Sequence, residues 1–193
     1  MNSWRKSIFL FETIKILDFV PQNLEFHKRR IAYSLGDIKA KFNLEKLLNS
    51  PLDGVVRAKV IYDMSGNLKE AYYFPYKFRE FNEFKLTPIN FGYSKKFLDR
   101  SQIDGAKGKF DEIIMIKDKF ITDTSIANLA IFDDGWVTPK TPLLNGTTRA
   151  RLLEDGFLRE GDIDMKRLAS AKRFALMNAM IGFCELKEFK FIS

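Results

Sequence analysis

Apolar and polar residues alternate over residues 7–19. Phe9, Phe11, Thr13 and Lys15 fall on one side, and Leu10, Glu12, Ile14 and Ile16 on the other, which is the period of a strand. From Asn23 the period changes. Leu24, His27, Ile31 and Leu35 lie three and four apart, predicting an amphipathic helix over residues 24–35. Asn23 is its expected cap, and Arg30 sits at the edge of the inner stripe, where it could reach inward. A second helix is expected over residues 38–48, closed by Asn49-Ser50-Pro51. Strand periods return over residues 54–62 and 68–73, on either side of a Ser65-Gly66 turn, and again over residues 84–89. Pro75, Pro88 and Gly92 punctuate the next stretch and place a break near residues 88–93.

Beyond the break a helix is expected over about residues 97–110, its end blurred by Gly105 and Gly108. Residues 112–117 and 120–121 read as paired strands around Asp118-Lys119. Residues 126–132 and 136–137 flank Asp133-Asp134-Gly135, a strong hairpin signal. A loop follows over residues 138–142. Asn145-Gly146 then opens a helix over residues 147–154, which Gly156 stops. A strand over residues 157–160, a short helix over residues 164–168 and two strands within residues 173–191 complete the pattern. Internal repeats are absent. The prediction is an α+β protein of two lobes: a smaller N-terminal lobe over residues 1–90 and a C-terminal lobe over residues 91–193.

Composition agrees with that picture and narrows the class. A chain of 193 residues holds one domain or two small ones. With 46% hydrophobic and 30% charged residues it is neither a disordered tail, a collagen nor a coiled coil. No apolar run approaches the roughly 18 residues of a membrane span, so no membrane association is expected. The first residues lack the apolar core of a signal peptide, and the single cysteine, Cys184, cannot form an internal disulfide; both readings point to the cytoplasm. The net charge of +7 favours anionic partners without choosing one. His27-Lys28-Arg29-Arg30 is the densest basic cluster. It reads as a solvated helix face with one inward arginine, or as a nucleic-acid patch. No recognition module accompanies it, so no nucleic-acid partner is expected.

Several chemistries are excluded by what is missing. His27 is the only histidine, which rules out a histidine-rich metal site, and no metal is expected. There is no G-x-S-x-G elbow. Gly105-Ala106-Lys107-Gly108-Lys109 lacks Walker spacing, and no G-x-G-x-x-G opens a helix. Three features remain. Asn145-Gly146-Thr147-Thr148-Arg149 puts a glycine before a helix start, which suits a phosphate but equally an ordinary cap. Asp123-Thr124-Ser125-Ile126-Ala127-Asn128 places a carboxylate, a hydroxyl and an amide at a strand entry, or simply forms a turn with side-chain-to-backbone bonds. Lys95-Lys96 offers amines that are either solvated or, if desolvated, able to form a Schiff base.

Taken in order, these segments resemble the class IV aminotransferase family, the fold type IV enzymes of pyridoxal 5'-phosphate (PLP). Phe11-Glu12-Thr13-Ile14-Lys15 is similar to the family's F-E-T-I-R strand. Residues 24–31, with His27 and Arg30, resemble its L-x-x-H-x-x-R-L helix. Lys96-Phe97-Leu98-Asp99-Arg100 resembles K-x-x-[ND]-R, Asp123 to Asn128 resembles E-x-S-x-x-N, and Gly146-Thr147-Thr148-Arg149 resembles G-[IT]-[TM]-R. Asn178-Ala179 falls where a hydroxyl or amide residue closes the phosphate cup.

The resemblance implies a two-lobed, D-amino-acid-aminotransferase-like fold with a shortened N-terminal segment, and PLP as cofactor. It implies Lys96 as the Schiff-base and proton-shuttling lysine, chosen over Lys95 by the spacing to Arg100. On an extended segment the two lysines would point to opposite sides. Arg30, Thr147, Thr148 and Asn178 would hold the phosphate, and Asp123 would contact the pyridine nitrogen. Two departures stand out. Aspartate replaces the usual glutamate at position 123, and the leading strands and G-x-G-x-F turn are missing.

Within the family, Phe11 to Lys15 and Thr147 to Gly156 are similar to the aminodeoxychorismate lyase branch. That implies an amino substrate carrying carboxylate, split into pyruvate and 4-aminobenzoate. A D-amino-acid or branched-chain transaminase is the alternative, and a catalytically degenerate PLP-binding or interaction protein a further one. The family resemblance also implies a homodimer.

Overall fold

In a computed structural model of the chain, residues 8–192 are described, and the leader-peptide reading of the first seven residues lies outside them. The described chain is mixed α and β with few helices. In order it runs β1 (Phe9–Leu17), β2 (Val20–Pro21), α1 (Leu24–Leu35), a 3₁₀ turn (Lys46–Leu48), β3 (Val55–Asp63), β4 (Leu68–Pro75) and β5 (Glu83–Pro88). It continues with α2 (Ser101–Lys107), β6 (Ile113–Lys117), β7 (Phe120–Thr124), β8 (Asn128–Phe132), β9 (Trp136–Pro139), α3 (Thr147–Glu154) and β10 (Leu158–Gly161). The last elements are α4 (Met165–Ala169), β11 (Phe174–Asn178), β12 (Gly182–Leu186) and β13 (Lys190–Ile192). No helix among the described residues is long and apolar enough to cross a membrane.

The chain forms two compact units. The first runs up to Lys77 and takes up Lys95–Asp99 again; the second comprises Phe78–Ser94 and Arg100–Ser193. The boundary expected between residues 90 and 91 therefore moves. Its position was inferred from proline and glycine punctuation, whereas the units are set by backbone pairing. The Phe11 amide donates to the Lys96 carbonyl at 2.9 Å and the Leu98 amide to the Phe9 carbonyl at 2.8 Å. Those bonds hold residues 95–99 against β1, so Lys96 belongs to the first unit rather than to the C-terminal lobe. The same pairing shortens the helix expected over residues 97–110 to α2.

In the first unit a sheet of order β2-β1-β3-β4 packs its inward residues against α1. Leu10, Ile14 and Ile16 from β1, Val56, Ala58 and Val60 from β3, and Ile31 and Leu35 from α1 form the core. Fully burying side chains of this size stabilises by roughly 1.5–3 kcal/mol each. α1 has the predicted bounds, but Asn23 does not cap it with its side chain. Asn23 is left-handed (φ 54°), and its carbonyl accepts from the Phe26 and His27 amides instead. The helix expected over residues 38–48 is reduced to the 3₁₀ turn. The backbone there is tied to the β3–β4 turn, with the Lys41 amide donating to the Gly66 carbonyl at 2.7 Å. A Cβ on Gly66 would lie 2.5 Å from the Lys39 carbonyl oxygen, so only glycine lets the two segments meet.

The second unit holds two sheets, of order β10-β9-β8-β11-β12 and β13-β5-β6-β7. Phe84, Ile114, Ile121, Leu129, Val137, Ile163, Leu168 and Phe174 fill its main core. Asp118 and Lys119 both take positive φ in the two-residue β6–β7 turn, the conformation such hairpins favour. β13 adds a strand beyond the two expected at the C-terminal end and pairs in parallel with β5.

Candidate active site

In the first unit, strand alternation sends Glu12 inward with Leu10 and Ile14, and all three are fully buried. A carboxylate in that position needs compensation. α1 supplies it from two residues one turn apart. His27 Nδ1 lies 2.6 Å from Glu12 Oε2. The Arg30 guanidinium forks onto the same carboxylate, Nε donating to Oε1 at 2.9 Å and Nη2 to Oε2 at 2.5 Å. Burial opposes the ionised Glu12. Arg30 and His27 more than offset it, holding the carboxyl down at about 2. Burial lowers His27 below its usual value despite Glu12, so the ring is neutral near pH 7 and its bond to Glu12 requires the Nδ1–H tautomer. Tyr62, buried alongside, is pushed up by burial and by the Glu12 charge.

Lys95 and Lys96 leave the segment beside β1 in different directions. Lys95 Nζ donates to the Ser34 carbonyl at 2.7 Å. Lys96 Nζ lies 4.7 Å from the centre of the Phe11 ring, and Lys59 Nζ lies 5.2 Å from the same centre. Phe11 is on the opposite face of β1 from Glu12, yet the Lys96 ammonium lies near enough for its charge to act on His27. Lys96 is half-buried.

In the second unit, Asp123 lies buried near the end of β7. Asn128 Nδ2 donates to Asp123 Oδ1 at 2.6 Å and the Leu144 amide to Oδ2 at 2.8 Å. Burial pushes this carboxyl up to about 6; the two hydrogen bonds and the more distant Arg149 charge offset only part of the rise. Asn128 also donates to the Leu144 carbonyl at 2.8 Å, fixing the chain before α3. Gly146 passes so close that a Cβ there would sit 1.9 Å from Asn128 Oδ1. α3 starts immediately after, with no side-chain cap. Its first amides, on Thr147 and Thr148, have no intrahelical acceptor by geometry. The Thr148 hydroxyl is fully buried and has no partner among the described residues. Arg149, next in line, is held by the Pro139 carbonyl at 2.8 Å and Glu160 at 2.7 Å.

Asn178 stands at the end of β11. Its side-chain carbonyl accepts from the Met180 and Ile181 amides at 2.9 and 3.1 Å, and its amide donates to the Ile126 carbonyl at 3.3 Å. Most of its capacity is thus spent on its own turn, with one N–H left over. The first unit therefore gathers Arg30 and Lys96 near β1, while the second gathers Asp123, Thr147 and Thr148 around Asn128 and Gly146.

The sequence profile described as Amino-transferase class IV matches residues 92–189, just over half of the chain. The chain belongs to the class IV aminotransferases. An uncharacterized protein of Haemophilus influenzae (strain ATCC 51907 / DSM 11121 / KW20 / Rd) is 34% identical over 189 residues, covering 90% of this chain and 98% of that one. A crystal structure from Haemophilus somnus 129pt, described as a candidate 4-amino-4-deoxychorismate lyase, is 32% identical. The alignment covers 94% of this chain and 100% of that one, with a TM-score of 0.81. A candidate amino-acid aminotransferase of Mesorhizobium loti has the same TM-score at 19% identity, covering 96% and 100%, a likeness of fold alone.

Class IV aminotransferases work with PLP. The residues present fit that group: a buried hydroxyl with no partner among the described residues and two amides with no intrahelical acceptor suit a phosphate, and Lys96 is an amine on a fixed backbone. Each oxygen of Asp123 retains a lone pair beyond the bond it already accepts. Three participants were not singled out from the sequence as site groups. Glu12 could have been, since a carboxylate on the apolar side of a strand must find a partner. Asn128 appeared in a motif, but its double duty to Asp123 and Leu144 depends on the loop before α3. The Leu144 amide carries no side-chain signal at all.

Proposed function

We propose that the chain is a PLP-dependent 4-amino-4-deoxychorismate lyase, converting its substrate to pyruvate and 4-aminobenzoate. The buried, unpartnered Thr148 hydroxyl beside the open amides of α3 carries the cofactor reading. The likeness to the Haemophilus somnus protein over nearly the whole chain supports the lyase over other family activities.

Bound PLP would supply an electron sink for bond breaking at the amine-bearing carbon. Thr147 and Thr148 would donate to the phosphate, and Arg30 would offer a charge-assisted donor. Asp123, its carboxyl raised to about 6 by burial, would accept a hydrogen bond from the protonated ring nitrogen. Lys96 would anchor the cofactor, and its amine would serve as the base that takes the proton from the amine-bearing carbon of the substrate. Loss of that proton and of pyruvate leaves an aromatic ring, and the atoms of the substrate are fully accounted for by the two products. The implied substrate class is a cyclic amine carrying carboxylates.

The test is to load the protein with PLP and supply 4-amino-4-deoxychorismate. Equal amounts of pyruvate and 4-aminobenzoate are expected, lost in Lys96→Ala and retained in Lys95→Met. Amino-group exchange with a keto acid and no pyruvate would establish a transaminase instead. Neither product, with no borohydride-trapped adduct on Lys96, would leave the degenerate binding protein.

A further inference from the structure

Arg30 is held in a way that a surface arginine is not. Two of its three guanidinium nitrogens are bound to one fully buried carboxylate, and its side chain is 9% exposed. Nη1 is the nitrogen without a hydrogen bond among the described residues. The fork-to-fork geometry fixes the guanidinium plane as well as its position. His27 completes the clamp from the other side, its Nδ1–H taken by Glu12 Oε2 and its position set by α1. Glu12 itself cannot shift, because β1 is paired over its whole length with β3 and Glu12 lies opposite Val60.

Such an arrangement is expensive if its only task is to stabilise the core. A buried ion pair is often no more stabilising than apolar residues of the same volume. Here the neighbouring core is apolar: Leu10 and Ile14 flank Glu12 on the same face of β1, and Val60 and Ile31 belong to the same buried cluster. What the charges add is direction.

We propose that Glu12 is a positioning residue for anion binding: with His27 it locks two nitrogens of Arg30 so that the remaining nitrogen is presented in one orientation to the cofactor phosphate. This rests on the PLP reading above. Glu12 does not touch the ligand and acts only through Arg30. The loss on removing it therefore falls on the phosphate and not on the aldehyde that Lys96 captures.

The experiment compares PLP with pyridoxal, which has the same ring and aldehyde but no phosphate. Apoprotein is titrated with each, following visible absorbance, in wild type, Glu12→Gln, Glu12→Asp, Arg30→Met and the Glu12→Gln/Arg30→Met double variant. Far-ultraviolet circular dichroism of each apoprotein reports folding. In Glu12→Gln the dissociation constant for PLP is expected to rise about tenfold to a hundredfold, the range seen when a metal ligand loses its supporting partner. Pyridoxal should change by less than about twofold, within ordinary surface-mutation effects. Glu12→Asp, which keeps the charge but withdraws it, should show a smaller loss of the same selectivity. In the Arg30→Met background, adding Glu12→Gln should produce no further loss, because the two residues act as one unit.

Equal weakening of PLP and pyridoxal, no weakening of either, or additive losses in the double variant would overturn the proposal. Should Glu12→Gln not fold, the selectivity of Glu12→Asp decides alone: unselective binding overturns the proposal. A wild type that takes up neither compound and shows no borohydride adduct on Lys96 overturns the PLP reading itself, a different outcome from any of these.

Discussion

Glu12 in the first unit and Asp123 in the second are both buried, and the two are held in opposite ways. Glu12 sits against a guanidinium and an imidazole and stays ionised down to about pH 2. Asp123 has only neutral donors in contact, an amide side chain and a backbone N–H, and is driven up to about 6. Burial acts in the same direction on both. The difference lies in whether a full charge compensates it. A carboxylate that is already paired can orient its partner but has little electrostatic capacity left for a ligand. One held by neutral dipoles keeps unmet demand for a positive group, and a ring nitrogen bearing a proton would meet it.

The largest effect is expected from breaking the paired side. Arg30→Met strands Glu12 in the core and should destabilise the protein by about 3–5 kcal/mol at pH 7, measured by denaturant unfolding. Pairing it with Glu12→Gln should recover much of that loss. The next test separates the two carboxylates by pH. Glu12 has a folded value below its usual 4.5, so its contribution is present above pH 4.5 and lost as pH falls toward 2, amounting to about 3 kcal/mol. Asp123 has a folded value above its usual 3.8, so its contribution is fully present below pH 3.8 and lost as pH rises through about 6, again by about 3 kcal/mol. Stability profiles of Glu12→Gln and Asp123→Asn should therefore diverge from wild type at opposite ends: the first loses its dependence below pH 4.5, the second its decline from pH 4 to 7. A smaller effect is expected at Gly146. An added methyl in Gly146→Ala must push Asn128 aside, costing about 1–3 kcal/mol. With one donor gone, the Asp123 carboxyl should titrate higher still, as carbon-13 chemical shifts would show.

The sequence carries these two environments unequally. Period placed β1 and α1, each with a continuous apolar stripe, and α3 was read from Asn145-Gly146 before it and Gly156 after it. Period also put Glu12 on one face of β1 with Leu10, Ile14 and Ile16, and His27 and Arg30 on or near the inner stripe of α1, so the members of the pair, though not the pairing, were legible in the spacing. The Asp123 environment was not. Its donors come from Asn128, five residues on, and from a backbone amide twenty-one residues away, and a backbone amide has no residue identity to read. The same reason explains the missed boundary. Residues 95–99 return to β1 through main-chain bonds, which no punctuation by proline or glycine announces. The helix expected over residues 38–48 failed because its apolar spacing serves a chain packed against Gly66, where tertiary contact outweighs periodicity.

The Glu12–Arg30 pair also fixes how anion capture responds to ionic strength. With His27 neutral, the buried trio carries no net charge, so from beyond a Debye length of about 8 Å it exerts little pull on a passing dianion. Whatever steering the chain exerts comes from its surface lysines and arginines and fades as salt is added. On the proposed reading the final seating would rest on the oriented Arg30 Nη1 and the first amides of α3 at contact distance, which screening barely reaches. Salt should therefore slow the arrival of a phosphate ester much more than it hastens its escape.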